Sequence, residues 1–79
     1  MVERLVHLVF PQGLIKEPII WKVGQDFKII TNIRRANVTK DFGWVDLELE
    51  GEEDEIDRAV EYLKNKGVGV SPIERDVVE

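Results

Sequence analysis

From Val2 to Phe10 the side chains follow a period of two, with Leu5, His7 and Val9 on one side and Val6, Leu8 and Phe10 on the other. That is the alternation of a β-strand. Both sides are largely apolar, so the pattern predicts a strand in the middle of a sheet, ended by Pro11, Gln12 and Gly13. The period then changes. From Pro18, a residue suited to the first position of a helix, Ile19, Ile20, Val23 and Phe27 fall on one side at helical spacing. Gly24 weakens the middle of this short helix by about 1 kcal/mol against alanine, which suggests close packing at that point.

A second strand is expected over Phe27 to Val38. Ile29, Thr31 and Ile33 share one face, whereas Ala36 and Val38 have the opposite parity, and a bulge near Arg34 or Arg35 reconciles the two halves. The stretch Lys40-Asp41-Phe42-Gly43 makes a turn. Val45, Leu47 and Leu49 then alternate with Trp44, Asp46 and Glu48, the pattern of a half-buried strand closing an antiparallel hairpin. After Gly51 an acidic run opens a helix, with Ile56, Ala59, Val60 and Leu63 on one side, cations at Lys64 and Lys66 near its end, and Gly67 past it. Val68 to Ile73 is short and β-branched. Pro72 cannot donate to a ladder, so this last strand belongs at a sheet edge. Glu74 to Glu79 reads as a tail leaving the domain.

The order is strand, helix, strand, strand, helix, strand. With right-handed crossovers it gives an α+β, ferredoxin-like split-βαβ fold (βαββαβ), a four-stranded antiparallel sheet with two helices on one face. One domain over residues 1–75 and a tail over 76–79 account for the 79 residues. A net charge of -5 argues against a nucleic-acid partner, because phosphate binding needs clustered Lys and Arg. The chain has no cysteine, so no disulfide, thiolate metal site or iron–sulfur cluster can be built from it and no cofactor is expected in it. No apolar run approaches the ~20 residues that span a bilayer, and no signal peptide is evident, so the expectation is a cytoplasmic protein without direct membrane insertion.

Catalytic chemistry is hard to find. His7, the one histidine, sits mid-strand among aliphatics and reads as structural, and without cysteine it makes zinc improbable. Glu52 to Glu55 are consecutive at a helix start, so their carboxylates splay around its axis, and no Asp-x-Asp-x-Asp-Gly loop is present. No nucleophile with a base and no phosphate-cradling motif appears, so an enzyme is not expected. The hairpin is more informative. Leu5, His7, Val9 and Trp44 should share the helix-free face, where a tryptophan among aliphatics suggests an interaction surface. Arg34 and Arg35 either pair with Asp46 and Glu48 across the hairpin or, with Asn32 and Asn37, offer donors to a ligand or a second domain.

The segments RLVHLVFP, KEPII, FKIITNIRRANV and FGWVDLELEGEEDEIDRAVEYLKNKGVGVSPIE, in this order and spacing, resemble the NIL domain over about residues 3 to 75. The family's Asn-Ile-Leu motif is matched by Asn32 and Ile33, with Arg34 where leucine is usual. Domains of this kind have a ferredoxin-like fold. They occur at the C-terminus of methionine-importer ATPases, where they pair and bind methionine to inhibit transport, and at the N-terminus of ferredoxin-type iron–sulfur proteins, some similar to a subunit of a sulfur-transfer system making homocysteine. The resemblance therefore implies a non-catalytic regulatory module that binds an amino acid such as methionine through Asn32, Ile33, Arg34 and Ala36, works as a homodimer, and has an iron–sulfur or transport protein as partner domain. The tail SPIERDVVE looks like the iron–sulfur setting. The alternative is a protein-interaction adaptor with no small-molecule ligand. Whether two chains would join by sheet edges or by sheet faces stays open at this point.

Overall fold

The computed structural model describes residues 1–73. Strands β1 (Val2–Phe10), β2 (Ile29–Val38), β3 (Gly43–Gly51) and β4 (Gly69–Pro72) are joined with helices α1 (Ile19–Asp26) and α2 (Glu53–Lys66), and a short 3₁₀ turn, Gln12–Leu14, follows β1. All neighbouring strands pair antiparallel in the order β2-β3-β1-β4, which is the expected ferredoxin-like α+β arrangement. The expected tail and the domain boundary at residue 75 lie outside the described residues.

β1 is central, as its two apolar sides require. Val6, Leu8 and Phe10 are buried with Val45, Leu47 and Leu49 of β3 beneath the helices, and Ile56, Ala59 and Leu63 of α2 close the core from above. Burial of these side chains, at roughly 25 cal/mol per Å² of apolar surface, is the main term holding so small a domain together. α2 is bounded by its own sequence. Glu53, Asp54 and Glu55 occupy its first turn and Lys64 and Lys66 its last, matching the helix dipole at both ends. Gly67 then adopts φ 102°, donating to the Lys64 carbonyl at 3.0 Å while Val68 donates to that of Leu63 at 3.1 Å. This Schellman closure favours glycine, since a Cβ is strained at such a φ.

β2 begins at Ile29, two residues later than its pattern suggests, because Phe27 still serves α1 by donating its N–H to the Val23 carbonyl at 3.2 Å. Pro18 is the N-cap of α1 and Ile19 its first helical residue. Gly24 is not sterically demanded: a Cβ there would meet only Thr31 Oγ1, at 3.8 Å, an ordinary contact. The close approach is at Gly51, where a Cβ would come to 2.9 Å from Ile29 Cγ2 and 3.0 Å from the Lys28 carbonyl oxygen.

The bulge is present. Ile33 pairs with Leu47 and Arg35 with Asp46, leaving Arg34 as the extra residue. Its effect is to put Ile33, Ala36 and Val38 on the helix side of the sheet, in register with Leu47, Val45 and Gly43. Asn32, Arg35 and Asn37 stand on the helix-free side, opposite Glu48, Asp46 and Trp44.

Candidate functional site

The helix-free face carries a polar row across three strands. Asp46 of β3 is only 5% exposed although no helix covers it. Its Oδ1 lies 2.6 Å from Nδ1 of His7 on β1, and its Oδ2 accepts from Arg35 Nε at 3.3 Å and Nη2 at 3.2 Å on β2. An ionised carboxylate only accepts, so Nδ1 carries the imidazole proton. The His7 hydrogen bond, reinforced by Arg35 and opposed by burial, holds the Asp46 carboxyl below its ordinary value of 3.8. Trp44 lies beside this row, its ring 5.5 Å from that of His7 and 5.9 Å from the Arg35 guanidinium carbon. One step along the hairpin Arg34 Nη1 donates to Glu48 Oε1 at 2.8 Å. Both arginines thus pair across the hairpin, the first of the two expectations. Trp44 stands on the helix-free side as anticipated, half-buried beside His7, with Leu5 and Val9 also half-buried.

The four residues expected to hold a ligand, Asn32, Ile33, Arg34 and Ala36, are all exposed on β2 but divide between two faces. Ile33 and Ala36 belong to the helix side. Asn32 lies on the other side, and Arg34 reaches Glu48 there, so its charge is directed away from the apolar row.

That row leads to a feature the sequence pattern does not disclose. Between the 3₁₀ turn, the start of α1 and the hairpin tip is an apolar groove of about 190 Å³, with Phe10, Ile15, Ile19 and Val45 among its lining residues and Trp21 and Val38 at its sides. Glu17, which pairs with Lys66 at 3.5 Å, is the one charged residue of the lining. The tip is fixed in place. Thr39 Oγ1 accepts from the N–H groups of Asp41 and Phe42, Thr39 N–H donates to the Phe42 carbonyl at 2.7 Å, and Gln12 Nε2 donates to Asp41 Oδ1 at 3.0 Å, tying the tip to the turn after β1. The groove joins residues more than twenty positions apart, so no local periodicity announces it.

The acidic residues at the start of α2 separate, as the helix predicts. Glu52 faces the N-terminal ammonium, Glu53 faces Arg4, and Glu55 accepts the Lys28 N–H at 2.9 Å and pairs with Arg58. The Lys28 hydrogen bond keeps the Glu55 carboxyl below its ordinary value. Among the described residues no group of three His, Cys, Asp or Glu side chains is placed to hold a metal ion, and no helix is long and apolar enough to cross a membrane.

The sheet order, the two helices on one side and the bulged hairpin define a ferredoxin-like α+β domain. Within that class the chain matches the NIL domain over residues 4–72, and it belongs to that family. Among solved structures it is similar to the C-terminal domain of an ABC transporter ATP-binding protein from Enterococcus faecalis, with a TM-score of 0.78 and 27% identity over 92% of this chain and 86% of that one. No curated protein matches.

Proposed function

We propose that this chain is a non-catalytic regulatory module that binds an amino acid with an apolar side chain, methionine being the leading candidate. The observation that carries this reading is the apolar groove continuous with the exposed row of β2. Its volume of about 190 Å³ suits one amino-acid-sized molecule, and concave, mostly apolar sites with few polar groups are the usual seats of small ligands. Membership of the NIL family and the likeness to a transporter ATP-binding protein's C-terminal domain support a regulatory role. Arg34 does not oppose an apolar ligand, because Glu48 holds it on the opposite face.

The segment from Ser71 onward, which resembles the lead-in to a ferredoxin-type region, supports a place at the N-terminus of an iron–sulfur protein over a place in a transporter. Cysteines spaced C-x-x-C-x-x-C-x-x-x-C-P in the reading frame beyond Glu79 would bear this out, and a transporter sequence would refute it. Cytoplasmic location accompanies either setting.

The ligand reading is tested by titrating methionine and related sulfur amino acids while following tryptophan fluorescence. Trp21 borders the groove and Trp44 lies across the sheet, so the signal should survive Trp44→Phe and vanish in Trp21→Phe. Flat traces at millimolar ligand would overturn it. A response confined to Trp44 would favour the second reading, an adaptor that contacts a protein partner through Leu5, His7, Val9 and Trp44.

A further inference from the structure

An apolar groove accounts for a ligand's side chain and leaves its head unexplained. A free α-amino acid carries an ammonium and a carboxylate on one carbon, and neither charge can leave water without a partner of the opposite sign. A host for both needs an anion and a cation side by side at the mouth of the groove. Glu17 is the charged residue of the lining, and its Oε1 lies 3.5 Å from Nζ of Lys66.

Both residues are held in place by their backbones. Glu17 donates its N–H to the Leu14 carbonyl at 3.2 Å and accepts the Ile19 N–H on its own carbonyl at 2.8 Å, so it joins the turn after β1 to the start of α1. Leu14 and Ile19 themselves line the groove. Lys66 is the last residue of α2, ahead of the Gly67 closure. The end of that helix lies against the same turn, since a Cβ on Gly67 would stand 3.6 Å from Leu14 Cδ1. The side chains of Glu17 and Lys66 are 46% and 39% exposed. A solvated pair of this kind adds little to stability, so it opens at small cost. Asn32 and Arg34 do not compete for the role, because they stand on the helix-free side, away from the groove.

We propose that Glu17 and Lys66 read the ligand's zwitterion. Their ion pair opens, Glu17 accepts from the ammonium, Lys66 donates to the carboxylate, and the apolar side chain lies in the groove. The site is then selective for free α-amino acids over the corresponding amines, acids and peptide-linked residues. This assignment rests on the ligand reading above and adds to it the residues that select the head.

The test follows Trp21 fluorescence in the unaltered protein, Glu17→Gln and Lys66→Gln, titrated with methionine, its decarboxylated amine and its deaminated acid. The unaltered protein should bind methionine about fivefold tighter than either analogue. Glu17→Gln should lose that factor for methionine and the amine while binding the acid no more weakly. Lys66→Gln should lose it for methionine and the acid while binding the amine no more weakly. Thermal melts should show both variants folded, as befits an exposed pair. Methionine binding kept at full strength in both variants would overturn the proposal and leave the ligand reading standing. Equal loss of all three probes in one variant would mean a deformed groove and would overturn it too. No response to any probe in the unaltered protein would overturn both.

Discussion

β2 and β3 are the two arms of one hairpin, nearly equal in length, and they meet opposite fates. β2 carries Ile29, Ile30, Ile33, Ala36 and Val38 and is exposed from Asn32 onward. β3 carries Asp46, Glu48 and Glu50 among its nine residues, and none of its positions is exposed. β3 also carries Trp44, Val45, Leu47 and Leu49, so the two arms are about equally apolar and composition does not separate them. Place in the sheet decides this, because β3 lies between β1 and β2 with α2 packed against it, whereas β2 is an edge that α1 covers over only about a third of its length. Apolar residues left exposed in a contiguous row mark a contact surface, while the buried carboxylates of β3 are retained by giving each a partner.

The largest contrast should appear on truncation. Leu47 is fully buried, so Leu47→Ala is expected to destabilise the domain by about 2–5 kcal/mol. Ile33, its register partner on β2, should cost less than about 0.5 kcal/mol as Ile33→Ala, measured by urea denaturation at low protein concentration. Equal losses at the two positions would erase the distinction between the arms.

The two ends of the hairpin differ next. At Gly51 a methyl group would press on Ile29 and the Lys28 carbonyl, so Gly51→Ala should cost about 1–3 kcal/mol. At Gly43 it would meet the Val38 methyls at 3.5 Å, an ordinary contact, and Gly43→Ala should stay within about 0.5 kcal/mol. Thermal melts of the two variants side by side decide the matter.

Asp46 should produce a smaller effect, visible in acid. Its native carboxyl is held below 3.8, so the group binds fewer protons folded than unfolded. The stability this supplies is complete above the ordinary value and is lost as pH falls through the lowered native one. Acid unfolding below pH 3.8 should therefore be shallower in Asp46→Asn than in the unaltered protein. Identical acid limbs would mean that the His7 and Arg35 contacts do not act on this group.

Much of this architecture is legible in the residues themselves. The change of period at Pro18, the Gly67 helix stop and Pro72 in the last strand are local signals, and they yield the element order. The parity break between Ile33 and Ala36 discloses the bulge because one extra residue, Arg34, returns the apolar positions to a single side of the strand. The arginine–carboxylate pairs follow once the hairpin register is known. The groove is not legible, since Ile15, Trp21 and Val38 meet only after three elements have packed. The depth of Asp46 is likewise hidden, for it depends on Trp44, His7 and Arg35 arriving from three strands. The glycines show the same limit from the other direction. Gly24 stands mid-helix, where close packing is the natural expectation, yet the space beside it is open, whereas Gly51 ends a strand and is tightly enclosed.

The central claim is that the outer arm of the hairpin stands open from Asn32 onward while the inner arm is enclosed along its length. Hydrogen exchange followed strand by strand tests it directly. The outward-facing amides of β2 between Asn32 and Val38 should exchange far faster than the amides of β3. Equal protection along the two arms would contradict it.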